Sequence, residues 1–420
     1  MLDIKFVREN PNKVKESCLK RGVSCDIEKL LKVDERRRKL MSETEAISAE
    51  KNRRSKEIAK ASDKDKKKMI AEMKKIDKKG GKLVHDLKTV ETEFDDLMSK
   101  VPNIIFEGVP DGKDSSENVI IEKVGEPPKF DFEFKDYMAL AESLDIIDVK
   151  RAAKVAGSRF GYLKRGAVLL EFAIVKMVFD TLLEKGFVPV IPPVMLKEEM
   201  AKGTGYFEGA DEDEAYFFPQ DNLFLAGTSE QSLISMHAGE VLNDLPKRYV
   251  AFSTCFRREA GSYGKDTKGI LRVHQFDKIE MVVFSNPEDS KKEHEFLLSI
   301  EKELMNKLEL PYQVVNICTG DLGRPAAAKY DIETWIPSEN KYRETHSTSN
   351  CGDFQARRLD IRQKDRQGKM SFVHTLNGTA FAIGRILIAI IENYQQKDGS
   401  IKVPEILQKY TGFKEIRNES

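Results

Sequence analysis

The chain has 420 residues, 33% of them charged and 40% hydrophobic, and its 70 Lys and Arg balance 70 Asp and Glu for a net charge of zero. That composition describes a soluble chain of two or three domains, each able to bury its own core. It has no apolar run of ~18 residues for a helix to cross a bilayer, so no membrane partner is expected. Five scattered cysteines (Cys18, Cys25, Cys255, Cys318, Cys351) lack CxxC spacing, which argues against structural zinc and a disulfide framework. The N-terminus, MLDIKFVREN, has no apolar signal core, so a cytoplasmic protein is expected.

Asn10-Pro11 starts the first helix, with Asn as N-cap and Pro at the first helical position. This helix carries Val14, Cys18 and Leu19 and is expected to stop near Gly22. A long helical pair follows, over about residues 30–100. In its second arm Met69, Met73, Ile76, Gly80, Leu83, Leu87, Val90, Phe94 and Leu97 are spaced alternately four and three apart, a coiled-coil seam interrupted only by Gly80. Leu30, Val33, Leu40, Ile47 and Ile58 form the matching stripe of the first arm, diluted by Arg37, Thr44, Lys51 and Arg54. Residues 61–65 make a plausible tip, so an antiparallel hairpin within the chain is expected, roughly 50 Å long at 1.5 Å per residue. Residues 51–90 hold 15 Lys or Arg against 6 Asp or Glu, a local charge of +9 that leaves −9 on the remainder. A basic module on an acidic body suits a polyanion partner at one end.

Pro102 and Gly108-Val109-Pro110-Asp111-Gly112 end the arm, which divides the chain into domains at 1–108 and 109–420. Residues 166–185 read as an apolar-faced helix, 187–193 as a proline-punctuated extended segment, and 287–309 and 384–396 as two further helices. No βαβ alternation appears, and no GxGxxG or GxxxxGK[ST] loop. The second domain is therefore expected to be α+β with a mostly antiparallel sheet. Its richest stretch is Phe256 to Glu280: two β-prone segments joined by a polar loop, Gly261 to Gly269. Arg257, Arg258 and Arg272 offer guanidinium forks for phosphate oxygens, and Phe276 offers a face for a purine.

Together these residues resemble the class II aminoacyl-tRNA synthetases, and among them the seryl-tRNA synthetases, over essentially the whole chain. The helix and prolines ending at Pro193 look like motif 1, the dimer-interface element. Residues 256–280 look like motif 2, and Gly378 to Arg385 like motif 3. Serine-type features are Thr228-Ser229-Glu230, Glu344-Thr345-His346-Ser347, the run Ser349 to Arg358, and Asn377-Gly378-Thr379. The basic hairpin is similar to that family's tRNA-binding arm, including Asn52, Arg53, Arg54, Ser55 and Lys56. Ser229 stands where the family often has Ala, and Arg258 where a small residue is common.

The resemblance implies a class II fold, an antiparallel sheet flanked by helices and preceded by the coiled-coil hairpin. It also implies a two-step reaction: serine and ATP give seryl-adenylate, and the seryl group then passes to the 3′ end of tRNA(Ser) and also of tRNA(Sec). ATP and Mg²⁺ are the implied cofactors, with no zinc, and a homodimer is the implied assembly. Arg257 and Arg385 are the expected catalytic residues. The ATP site is expected from Arg257, Arg258, Glu259, Arg272, Val273, Phe276, Glu344, Thr345, His346, Ser347 and Arg385. Within it Glu259 accepts from the adenine amino group, and Phe276 and Arg385 enclose the ring. Glu344 and Ser347 are the expected Mg²⁺ ligands. Serine is expected to meet Thr228, Ser229, Glu230, Arg257, Glu280, Asn377 and Thr379. His274, His346 and His374 are given no acid–base role, since adenylate formation needs none. A paralogue that loads a carrier protein would lack the basic arm, and a catalytically dead scaffold would lack Arg257, Glu280 or Arg385.

Overall fold

A computed structural model describes residues 1–206, 213–260, 268–364 and 368–418. The chain forms two compact units, Leu2–Pro102 and Asn103–Ser420, the second including Met1.

The first unit is helical, with α1 (Pro11–Lys20), α2 (Ile27–Lys60) and α3 (Asp63–Lys100). Asn10 is the residue before α1 and Pro11 its first residue, but the Asn10 side chain makes no cap hydrogen bond there; it donates back to Phe6 O. α2 and α3 pack as the expected hairpin. All nine seam positions of α3 are buried or half-buried, with Gly80, Val90 and Phe94 buried. Gly80 is a contact point in that seam, because a Cβ there would lie 3.1 Å from Ile47 Cγ2. Two of the polar positions of α2 are matched across the hairpin: Lys51 pairs with Asp77 at 2.7 Å and Arg54 with Glu72 at 2.8 Å. Arg37 lies 4.1 Å from the Phe94 ring centre. At the base, buried Asp34 gathers Arg8, Arg37 and Arg38.

The second unit is built on an eight-stranded sheet. Its strands are β1 (Val119–Val124), β2 (Val188–Val190), β3 (Lys247–Phe256), β4 (Gln275–Ser285), β5 (Tyr312–Asn316), β6 (Ala328–Ile336), β7 (Lys341–Asn350) and β8 (His374–Ala382). The order is β1-β5-β6-β7-β8-β4-β3-β2, antiparallel throughout except for the parallel β2–β3 pair. One face is covered by α4 (Gly166–Glu184), α6 (Ser290–Leu308) and α7 (Ile383–Asn393), which supply nearly half of the main core. The short helix α5 (Ser229–Ser235) packs with β3 and β4 on the other face. The α+β, mostly antiparallel expectation therefore holds, and the helices read at 166–185, 287–309 and 384–396 are α4, α6 and α7. No helix among the described residues is long and apolar enough to cross a membrane.

Two β-bulges shape the open face. The β6–β7 register slips so that Ile332 faces His346 and Glu333 faces Glu344, leaving Thr345 as the extra residue. The β4–β8 register slips so that Ile279 faces Phe381 and Glu280 faces Thr379, leaving Ala380 extra. A strand alternates faces every residue, so each bulge resets which side the following residues take.

Candidate active site

The open face of β4, β6, β7 and β8 carries a cavity of about 280 Å³. β4 contributes Phe276, Lys278 and Glu280 at strict alternation, and β8 contributes Asn377 and Thr379. Through its bulge β7 contributes both Glu344 and Ser347, three residues apart, which an unbroken strand would point to opposite faces. Gly378 fits tightly between Asn377 and Thr379: a Cβ there would come within 3.1 Å of Glu301 Oε1 and 3.2 Å of Thr348 Oγ1 on the helix-covered side.

One end of the cavity is a buried polar network. Thr228 caps α5, accepting from the Glu230 N–H, and also accepts from Lys278 Nζ at 2.7 Å. Glu230, 2% exposed, accepts from Gln355 Nε2 (2.8 Å), Asn377 Nδ2 (3.0 Å) and the Tyr206 hydroxyl (3.0 Å). Burial, and next the neighbouring Glu280, push its carboxyl up to about 7; Gln355, Lys278 and Tyr206 oppose the rise. Glu280, 1% exposed, is bridged to Lys278 at 2.5 Å and accepts from Thr379 Oγ1 at 3.2 Å.

The other end is cationic and more open. Arg257 donates to Gly227 O at 3.2 Å, and its guanidinium lies 5.3 Å from the Phe276 ring centre. Arg272 donates to Glu259 at 2.7 Å. Arg385, at the head of α7, donates to Glu344 O at 2.9 Å and lies 3.4 Å from its Oε1. Burial alone would raise the Glu344 carboxyl, but Arg385, Lys329, Arg257 and Lys278 outweigh it and hold the group below its usual range. Beside it Asp331 is pushed up to about 7, first by burial and against the pull of Lys329, which lies 3.2 Å away.

The cavity thus gathers Arg257, Glu259, Arg272, Val273, Phe276, Glu344, Thr345, His346, Ser347 and Arg385 with Thr228, Glu230, Glu280, Asn377 and Thr379. Two expected residues stand apart. Arg258 lies outside the lining, its guanidinium 6.0 Å from the Tyr216 ring centre, because the residue after Arg257 takes the opposite side of the chain. Ser229 is buried in the first turn of α5, its hydroxyl without a hydrogen-bond partner. Thr345 and His346 border the cavity, yet their side chains are engaged on the helix-covered face. Thr345 meets Thr334 at 2.7 Å, and the His346 ring packs 4.9 Å from that of Phe381. Burial drives the His346 pKa down to about 3, so its imidazole is neutral.

Arg385 is held by Glu344 and Arg257 lies over Phe276, while Phe276 and Arg385, expected to enclose the adenine, line the same cavity. Most of the polar loop, residues 261–267, lies outside the described residues. Lys278, Lys329 and Tyr206 were not anticipated, and Gln355 was named only as part of the run Ser349 to Arg358, without a role. Only Lys278 had a readable signal, its alternation with Phe276 and Glu280. In the first unit Asn52, Arg53, Ser55 and Lys56 are exposed, while Arg54 is drawn into pairs with Glu50 and Glu72.

Comparisons with known proteins converge on one family. Residues 216–394 match the family described as "tRNA synthetase class II core domain (G, H, P, S and T)", and residues 1–105 match "Seryl-tRNA synthetase N-terminal domain". The chain is 44% identical over 422 residues to a serine–tRNA ligase of Dictyoglomus turgidum, covering 99% of each chain. The fold is similar to that of the Pyrococcus horikoshii seryl-tRNA synthetase solved with ATP, at a TM-score of 0.90 and 42% identity over the whole of both chains. It is also similar to a cytoplasmic serine–tRNA ligase of Naegleria fowleri solved with AMP, at a TM-score of 0.85 and 31% identity, covering 100% of this chain and 99% of that one.

Proposed function

The chain belongs to the seryl-tRNA synthetases, ATP-dependent aminoacyl-tRNA ligases of class II, and from that premise we propose a division of labour within the cleft. The buried end around Glu230, Lys278 and Glu280 selects serine, and the arginine end holds ATP. The observation that carries this reading is that both chemistries share one cavity: buried, hydrogen-bonded carboxylates at one end, and Arg257, Arg272, Arg385 and the Phe276 ring at the other.

In the first step the serine carboxylate attacks the α-phosphorus of ATP and pyrophosphate leaves. The barrier is mutual repulsion of anions and charge developing on the phosphoryl oxygens, so positioned cations do most of the work. Arg257 is assigned to both the carboxylate and the α-phosphate, and Arg272 and Arg385 to the outer phosphates. Phe276 stacks the adenine, and Glu259 accepts from its amino group. Serine's ammonium goes to Glu280 and Glu230, and its hydroxyl to the Thr228, Asn377 and Thr379 end. A site that hydrogen-bonds a hydroxyl rejects analogues lacking it by ~10⁴–10⁵. In the second step a ribose hydroxyl at the tRNA 3′ end takes the seryl group and AMP leaves.

Glu344, held ionised, and Ser347 on the same face offer one carboxylate and one hydroxyl. That donor set suits Mg²⁺ bound chiefly through ATP phosphates rather than in a protein cage, and no group of three or more His, Cys, Asp or Glu able to hold a metal occurs among the described residues. Such an ion would neutralise phosphate charge. The exposed basic face of the hairpin, with Asn52, Arg53, Ser55 and Lys56, is read as the grip on tRNA(Ser), through phosphate contacts that position the RNA rather than read its sequence. The same reading extends to tRNA(Sec) and places the chain in the cytoplasm. A homodimer is supported by a run of apolar side chains left exposed on α4 and the segment after it: Leu169, Phe172, Leu183, Val188 and, at 88% exposure, Ile191.

The deciding experiment is ATP–pyrophosphate exchange across the amino acids, then charging of total tRNA and of separate tRNA(Ser) and tRNA(Sec) transcripts. Serine alone is expected to drive exchange, and Glu280→Ala to abolish it nearly completely. Deletion of residues 31–98 is expected to spare exchange and abolish charging. Exchange driven by another amino acid, or charging that survives the deletion, defeats the respective assignment.

A further inference from the structure

Tyr206 lines the cavity from a segment outside the main sheet. A short helix, Glu198–Gly203, ends just before it, and Gly205 takes φ of +89° at the turn. A Cβ at Gly205 would meet the Phe354 ring at 3.1 Å, so glycine lets the chain pass close to the helix Phe354–Leu359. From that helix Gln355 donates to Thr204 O at 2.9 Å and, through the same amide nitrogen, to Glu230 Oε1 at 2.8 Å. The Tyr206 ring packs against a small cluster of Leu196, Ala201, Ala215, Phe224 and Ala226, and its hydroxyl donates to Glu230 Oε2 at 3.0 Å. Asn377 is the second donor to Glu230 Oε1, at 3.0 Å. An ionised carboxylate has about four acceptor positions. Two on Oε1 and one on Oε2 are taken, which leaves one on Oε2 of a group that lines the cavity.

We propose that Tyr206 is a positioning residue for serine: its hydroxyl holds Glu230 in the ionised form, with one Oε2 position open for the substrate ammonium. This rests on the proposed pairing of that ammonium with Glu280 and Glu230. Burial, and next the charge of Glu230, raise the Tyr206 phenol well above its usual range, so it keeps its proton and remains the donor. Glu230 sits at about 7, where losing one donor changes how much of it is ionised near neutral pH. From β4, Glu280 raises the Glu230 carboxyl and Lys278 restrains it; Arg257 and Cys351 line the same cavity, and α5 carries no other titratable side chain. Replacing the phenol with a phenyl ring leaves all of these in place.

The test is Tyr206→Phe in the full chain, which keeps the ring packing and removes the hydroxyl. In serine-dependent ATP–pyrophosphate exchange the KM for serine is expected to rise roughly 10- to 100-fold at about pH 7, as for a lost hydrogen bond to a charged group, with the KM for ATP unchanged. The acid-side limb of kcat/KM for serine, followed from about pH 6 to about 8.5, is expected to move to higher pH, because Glu230 without this donor loses its proton later. Should exchange fall below detection, the same limb is read from the stabilisation that serine gives in thermal melts. The proposal is overturned if the limb stays at the parent's position, whatever the KM, or if the KM values for serine and ATP rise together. Serine-driven exchange in the parent tests the underlying serine assignment separately. Its absence defeats both readings, whereas an unmoved limb in the variant defeats this one alone.

Discussion

Lys278→Met removes the cation from the buried end of the cleft while keeping most of the side-chain length. At an effective dielectric of about 20, the 2.5 Å contact between Lys278 and Glu280 corresponds to an attraction of about 6–7 kcal/mol. Desolvation takes back much of that, and breaking a buried pair from one side costs about 3–5 kcal/mol. Both side chains are nearly solvent-free, at 8% and 2%, so the full range applies. The cost should also depend on pH. Glu230 sits at about 7, raised from 4.5, and Lys278 is one of the groups restraining that rise. A carboxyl whose folded pKa lies above its unfolded value contributes stability that is complete below about 4.5 and lost as pH rises through the folded value. Removing Lys278 moves that folded value up, so more of the stability is lost by pH 8 and the deficit grows from pH 5.5 to pH 8. Urea unfolding at the two pH values, followed through Trp335, the single tryptophan, reads the second unit. Serine-dependent exchange should be nearly lost in the variant. Lys278→Met combined with Glu280→Gln should recover most of the stability and none of the exchange. A deficit below ~1 kcal/mol at both pH values would mean that the pair behaves as a solvated one, and the account of the serine end would fail.

Three further outcomes follow from the same geometry. Glu171 on α4 is pushed up to about 8, first by burial and then by Asp277. The parent should therefore lose stability between pH 4.5 and 8, by up to ~4–5 kcal/mol at ~1.4 kcal/mol per pKa unit, and Glu171→Gln should flatten that slope; equal slopes in thermal melts would refute the assignment. Gly80→Leu should destabilise the isolated transition of the helical unit by ~1–3 kcal/mol through overpacking against Ile47, outweighing the ~1 kcal/mol gain in helix propensity, as read by circular dichroism. Phe276→Ala should raise the KM for ATP by roughly 5- to 100-fold, the equivalent of ~1–3 kcal/mol of base stacking, with a smaller change in the KM for serine.

The hairpin was legible because a coiled-coil seam is a local pattern: alternating spacings of four and three name the buried stripe without knowledge of its partner. What that pattern could not give was register. Lys51 and Arg54 read as dilutions of the seam, yet they pair with Asp77 and Glu72 on the opposite helix. Those partners can be identified only once the turn fixes which residues lie across from each other. Gly80 read as a gap in the seam for the same reason, until Ile47 was known to face it.

At the cleft the separation between legible and hidden residues has a physical cause. Phe276 and Glu280 are on one strand, so alternation places them together, and it should also have found Lys278. Tyr206 and Gln355 reach Glu230 from distant segments that no period connects. Glu344 and Ser347 are the instructive pair. Three residues apart on a strand, they belong on opposite faces, and only the bulge at Thr345 turns both toward the arginines. The bulge at Ala380 does the same for Thr379 and Ala382. Each bulge also sends its extra residue into the helix-covered core, where Thr345 bonds Thr334 and Ala380 is fully buried. The irregularities that hide the site from a strand-period reading are therefore anchored by core packing. A substitution at Ala380, which lies outside the cavity lining, should disturb the face on which Thr379 is presented.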